Sequence, residues 1–124
     1  MNIDAFILSY KREKNISRVI KGIRRQSFVR NIYVIHNSPS TTKVLGARNL
    51  VFDNNFGCIA RHTIALLSNC DYALFVDDDI EIQVDLSQRF QKLIKTSSFG
   101  VAGVYCRKFK EKNINFSDQV YESS

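Results

Sequence analysis

The sequence is poor in the features that announce several common protein classes. Its three cysteines, Cys58, Cys70 and Cys106, are odd in number and widely spaced, which leaves neither a disulfide framework nor a Cys-x-x-Cys metal knuckle to be read. A reducing, cytosolic environment is the expectation, and the thiols are read as packing residues without chemistry. No apolar run approaches the about 18 residues of a membrane-spanning helix, and the N-terminus lacks the basic, apolar and small-residue order of a signal peptide. No internal repeat, low-complexity tract or interdomain linker is visible. His36 and His62 lack a second ligand at metal-binding spacing and are read as loop and helix-surface residues.

What is present fits one soluble globular domain: 124 residues, 44% apolar and 24% charged. A chain of this size buries roughly two thirds of its unfolded surface, enough for an open sheet with helices on its faces. The net charge of +6 favours an anionic partner such as a sugar nucleotide, nucleic acid or an anionic membrane surface.

Residues 3–9 form a short apolar run that reads as a strand, followed by a polar Ser-Tyr-Lys-Arg loop. Ile16, Val19, Ile20 and Ile23 then repeat at i, i+3, i+4 and i+7, one face of a helix whose basic residues lie mostly off that face. A buried strand is expected at 31–35, a turn at 36–42 and a short third strand at 49–52. Ile59, Ala60, Ile64, Leu67 and Cys70 suit a second helix packed on a sheet. The run 72–76 reads as the clearest buried strand. Asp85 with Gln88 resembles a capping box opening a helix whose inner face is Leu86, Phe90, Leu93 and Ile94. A fifth strand is expected at 101–106, and 108–124 reads as a polar loop or ragged end. Strands alternating with helices predict a mostly parallel α/β sheet with helices on both faces, which binds ligands beyond the carboxyl ends of its strands.

Asp77, Asp78 and Asp79 stand at such an end. Three successive carboxylates repel one another in a water-poor crevice, and a divalent cation is the simplest neutraliser. In extended chain, Asp77 and Asp79 would face one ligand and Asp78 the other side. Mg²⁺ or Mn²⁺ would take carboxylate and phosphate oxygens together. The bland alternative is a solvated acidic turn without an ion.

Several segments together resemble the GT-A fold glycosyltransferases, especially the family-2 type and, more distantly, the exostosin-like transferases. They are residues 6–12 as first strand and donor-base loop, Gln26-Ser27-Phe28 as the end of the first helix, and 32–38 as second strand and turn. Asn54-Asn55-Phe56-Gly57 with Ala60-Arg61 precedes the Asp-x-Asp strand, and Phe75-Val76-Asp77-Asp78-Asp79 is that strand with its motif. The likeness covers residues 1–107, taken as the nucleotide-sugar-binding domain of a Rossmann-like GT-A architecture.

The resemblance implies a metal-dependent glycosyltransferase. Ser9, Tyr10 and Arg12 would line the base and ribose, Asn55 and Arg61 would lie near the diphosphate or sugar, and Asp78 would join the donor side. Asp77 would contact the ribose or metal shell and Asp79 would ligate Mn²⁺ or Mg²⁺. The implied partners are a nucleoside diphosphate sugar, UDP-sugars favoured, and a saccharide or lipid-linked acceptor, with a peripheral membrane contact as a further expectation. The sequence departs from the family-2 pattern at Ile35-His36-Asn37-Ser38, where an acidic residue commonly meets the base; Asn37, both donor and acceptor, would take that place. Asn there matches the exostosin-like pattern, so inverting and retaining chemistry both stay open. No catalytic base is assigned, because Glu111, Asp118 and Glu122 read as solvated tail residues.

Three rival readings stand beside it. A module that binds the donor without transferring is one. A nucleotidyltransferase is disfavoured because no glycine-rich loop follows the first strand. Nucleic-acid binding through the basic helix of Arg18, Lys21, Arg24 and Arg25 is disfavoured because no recognised motif accompanies it.

Overall fold

The computed structural model describes residues 1–39, 43–96, 103, 105–109 and 119–123. They divide into two units, Met1–Phe90 and Gln91–Ser124. In the first unit β1 (Ile3–Ser9), β2 (Val29–His36), β3 (Arg48–Val51) and β4 (Tyr72–Asp77) form a sheet in the order β3-β2-β1-β4. Every pairing in it is parallel.

Period-two alternation sorts the strand side chains onto two faces. Ala5, Ile7, Ile32 and Val34 point to one, where Ile16, Val19, Ile20 and Ile23 of α1 (Glu13–Arg24) cover them. All four helix residues expected on the inner stripe are buried, each contributing roughly 1.5–3 kcal/mol of apolar burial. Phe6, Tyr33 and Ile35 point to the opposite face, under Ala60 and Ile64 of α2 (Ile59–Leu67). Phe6 stacks on Tyr33 with ring centroids 5.0 Å apart. The α/β architecture with helices on both faces is therefore as the sequence implies.

Several expectations differ from the structure. The strand at 72–77 is not the most buried, because only Val76 is inaccessible while Tyr72 and Phe75 are exposed. An apolar run states that a strand has a packed face but not whether it has two neighbours, and β4 pairs with β1 alone among the described residues. In α2, Ile59 and Leu67 face solvent at 64% and 80% exposure, because nine residues present a single narrow stripe through Ala60 and Ile64.

Asp85 does not close a capping box at the start of α3 (Leu86–Thr96). Its carboxylate accepts from Arg89 Nε at 2.8 Å, and the Ser87 amide N–H donates to Gln26 Oε1 at 2.9 Å. Of the inner face assigned to α3, Leu86, Phe90 and Ile94 are half-buried and Leu93 is exposed.

In the second unit β5 (Tyr105–Phe109) pairs antiparallel with β6 (Gln119–Ser123) in a separate two-stranded sheet. The described part of the fifth strand therefore pairs with β6 and not with the parallel sheet. A strand occupies part of the segment read as a loop, carried by the β-formers Val120 and Tyr121. Residues 101, 102, 104, Glu111 and Asp118 lie outside the described residues. No described helix is long and apolar enough to cross a membrane.

Candidate functional site

The strand order reverses at β1: the chain runs outward through β2 and β3, then returns to place β4 on the other side. The carboxyl ends of β1 and β4 therefore flank a topological switch point, the place where loops leave in opposite directions and open a crevice. The chain beyond β1 enters it through Lys11, whose φ of 57° is the left-handed region that residues other than glycine seldom occupy. That bend lets the Tyr10 amide N–H donate to Asp78 Oδ2 at 3.2 Å. The Arg12 guanidinium donates to Asp78 Oδ1 at 3.5 Å and, more closely, to Asp79 Oδ2.

On the other flank, Arg61 of α2 donates to Asp77 Oδ1 and lies over the Phe75 ring, 5.7 Å from its centroid. Its Nε is buried and has no partner among the described residues. A buried donor that stays without any partner costs about 1–3 kcal/mol.

The acidic run therefore does not alternate as extended chain would. The strand ends at Asp77, and Asp78 and Asp79 form a turn, so Asp78 and Asp79 share Arg12 while Asp77 faces Arg61. Asp78 is 7% exposed and holds the β1 loop. The Asp77 and Asp79 side chains are 60% and 50% exposed. Two guanidiniums supply much of the neutralisation that the sequence alone assigned to a metal. No group of three ligating side chains capable of holding an ion occurs among the described residues. The donor set nevertheless suits Mg²⁺ or Mn²⁺, which bind through one or two carboxylates and complete their shell with water and phosphate oxygens.

Of the remaining candidates, Ser9 is 2% exposed and its carbonyl accepts from the Asn37 amide at 2.9 Å, so it shapes the floor of the crevice. Tyr10 is 38% exposed, with Lys11 Nζ 5.0 Å from its ring centroid.

Asn37 is not free to read a base. It is buried; Nδ2 donates to Asn55 Oδ1 at 2.6 Å and to the Gly57 carbonyl at 3.1 Å, and Oδ1 accepts from the Phe56 amide at 2.9 Å. Its role is to hold the 55–57 loop, in which Asn55 Oδ1 also accepts from the Gly57 amide and Gly57 takes a φ of 69°. His36 is likewise buried, its Nε2 2.9 Å from Asn49 Oδ1. Cys58 is exposed, contrary to the packing role expected of it.

The sequence places Gln26 at the end of the first helix but assigns no partner to its side chain. It is 2% exposed, donates from Nε2 to the Gln83 and Gly22 carbonyls at 3.1 and 3.3 Å, and caps α3 through Ser87. It thereby ties the end of α1 to the chain that follows the acidic turn. The signal was available: Gln26 continues the inward stripe of Val19 and Ile23, where a polar residue must find partners. Replacing Gln26 by alanine strands three backbone groups and is expected to cost about 2–3 kcal/mol in urea unfolding. A loss within about 0.5 kcal/mol would show that the loop is held by other means.

No protein-family model matches the sequence, and no curated protein does. Among solved structures the chain is similar to S. aureus TarS (1-349), with a TM-score of 0.63 and 18% identity, over 90% of this chain and 40% of that one. The fold is GT-A-like. An identity this low speaks for architecture, and the chain spans two fifths of the TarS chain's length.

Proposed function

We propose that the chain is the donor-binding part of a metal-dependent glycosyltransferase, which moves a sugar from a nucleoside diphosphate sugar, with UDP-sugars favoured, to a saccharide or lipid-linked acceptor. The observation that carries this reading is the convergence of Tyr10, Arg12, Asp78 and Asp79 at the carboxyl ends of adjacent parallel strands. Its setting is a fold shared with a glycosyltransferase.

In this reading the exposed Tyr10 ring offers a face for the base, and the buried Ser9 and Asn37 hold the loops around it. Asp79, with Asp77, would hold the cation, which when bound supplies Lewis-acid stabilisation of the leaving diphosphate. Arg12 and Arg61 are the chain's own cations for phosphate oxygens. Binding asks them to exchange a carboxylate partner for a phosphate, which a guanidinium meets with paired hydrogen bonds. The orphan Nε of Arg61 is a donor in reserve for that exchange.

Calorimetric titration with UDP, GDP and UDP-sugars, with and without Mn²⁺, tests the proposal. Binding of a uridine ligand that requires Mn²⁺ is expected; absence of binding to every nucleotide in both conditions removes it. Incubation with the bound UDP-sugar then separates an enzyme, which releases UDP, from a module that binds without turnover.

A further inference from the structure

The two halves of the chain carry opposite charge. Residues 1–50 hold ten Lys and Arg against two acidic residues, and residues 51–124 hold eight against ten. In the folded protein part of the basic excess forms a line. Lys14, Arg18 and Lys21 of α1, with Arg25 at its C-cap, recur at i, i+4, i+7 and i+11, a stripe about 16 Å long at 1.5 Å per residue. All four are exposed, and none forms an ion pair among the described residues.

Beside the C-terminal end of α1 lies a turn that holds an apolar residue outward. Arg24 of α1 donates to the Gly46 carbonyl, and Gly46 takes a φ of 81°. Asn49 clamps the same turn with Nδ2 on the Val44 and Ala47 carbonyls at 2.9 and 3.1 Å and Oδ1 on the Val44 amide at 2.9 Å. Val44 is packed into the core, while Leu45 beside it is 92% exposed. A solitary exposed leucine is ordinary. A turn fixed by four hydrogen bonds beside the helix that carries an unpaired basic stripe, holding a leucine outward next to the exposed Lys43, is a more particular arrangement.

We propose that this face docks on an anionic lipid bilayer, with the stripe on the headgroups and Leu45 entering the interface. The apolar side of α1 is already spent on the core, so the helix attaches by charge and lies on the surface without inserting. Nucleic acid would meet the same cations through its phosphates, and duplex RNA is therefore the control that separates the two partners. The inference is independent of the donor-binding proposal, because the stripe and turn share no residue with that site.

Flotation of the full chain with phosphatidylcholine vesicles carrying about one third phosphatidylglycerol tests it. Binding is expected to these vesicles and not to pure phosphatidylcholine, and it should disappear between about 0.1 and 0.5 M salt. Each Lys→Gln or Arg→Gln change in the stripe is expected to weaken it about fivefold, so K14Q/R18Q/K21Q/R25Q abolishes it. Leu45→Ser should weaken it several-fold while the salt dependence stays. Circular dichroism melts confirm folding of each variant, and Leu45→Ser, altering only an exposed side chain, serves should the quadruple variant not fold. Absence of binding to anionic vesicles, equal binding to neutral ones, or indifference to both sets of changes overturns the proposal. So does tighter binding to duplex RNA that Leu45→Ser leaves unchanged.

Discussion

Asp79→Ala is expected to lower the affinity for a UDP-sugar in Mn²⁺ on the order of a hundredfold, and to do so without measurable loss of stability. The two halves of that expectation come from one geometry. Asp79 is half-exposed and its partner Arg12 is 55% exposed, so their ion pair is a surface pair contributing about 0–1 kcal/mol to folding. The same exposure leaves its carboxylate open to a cation shared with phosphate oxygens. Asp78→Ala is the informative comparison: it removes the acceptor of the Tyr10 amide from a nearly inaccessible position and should lower the melting temperature as well. Calorimetry with thermal melts on both variants reads the split. Unchanged Mn²⁺-dependent binding by Asp79→Ala would exclude it as a ligand, and a large fall in its melting temperature would show that the motif is structural.

The second large effect lies at the opposite end of the sheet. Asp4 is fully buried at the start of β1. Its oxygens accept from Arg30 Nε and Nη2 at 3.1 and 2.9 Å, and from the Asn31 amide and Nδ2 at 3.2 and 3.0 Å. Burial by itself would raise the carboxyl pKa, but the hydrogen bonds and charge of Arg30, with those of Asn31, outweigh it and hold the pKa below its ordinary 3.8. Asp4→Ala leaves Arg30 Nε and both Asn31 donors without an acceptor, while Arg30 Nη2 keeps the Asn69 carbonyl at 2.9 Å, and is expected to cost about 3 kcal/mol. Values for fully buried pairs run higher, and the partial exposure of Arg30 reduces this one.

The sign of the pH dependence follows from the lowered pKa. The contribution is complete above the unfolded value and is lost as pH falls below 3.8 through the folded one. Urea unfolding between about pH 5 and pH 2 should therefore show a steeper stability loss for the natural chain than for Asp4→Asn. Parallel slopes would mean that Asp4 carries no linkage.

What was legible in the sequence was whatever depends on a strong local period. Ile16, Val19, Ile20 and Ile23 announce α1 and its buried side, because a helix repeats its inward face every three to four residues whatever it packs on. The acidic run was legible as the end of a strand, because Tyr72 to Val76 is apolar and β-forming up to it, and the carboxyl end of a parallel strand is where ligands collect. Its internal geometry was not, since alternation holds only while the chain stays extended and here it turns after Asp77. Asn37 was misjudged for a related reason: an amide's capacity to pair is visible in sequence, but the partners already waiting in Asn55, Phe56 and Gly57 are brought to it only by the fold. The edge position of β4 depends on which strands find each other, information that no single segment holds.

The halves of the site are far apart along the chain. Tyr10 and Arg12 meet Asp78 and Asp79 across sequence separations of 66 to 68. Closing a loop of that length is slow relative to pairing β1 with β2, since non-local partners meet only after the chain entropy between them is surrendered. On a ribosome adding about 5–20 residues per second, Tyr10 is made roughly 3–14 s before the carboxylate that will fix it. For that interval the nascent chain carries the Arg12 guanidinium and the Tyr10 amide of the crevice without the carboxylates that will partner them.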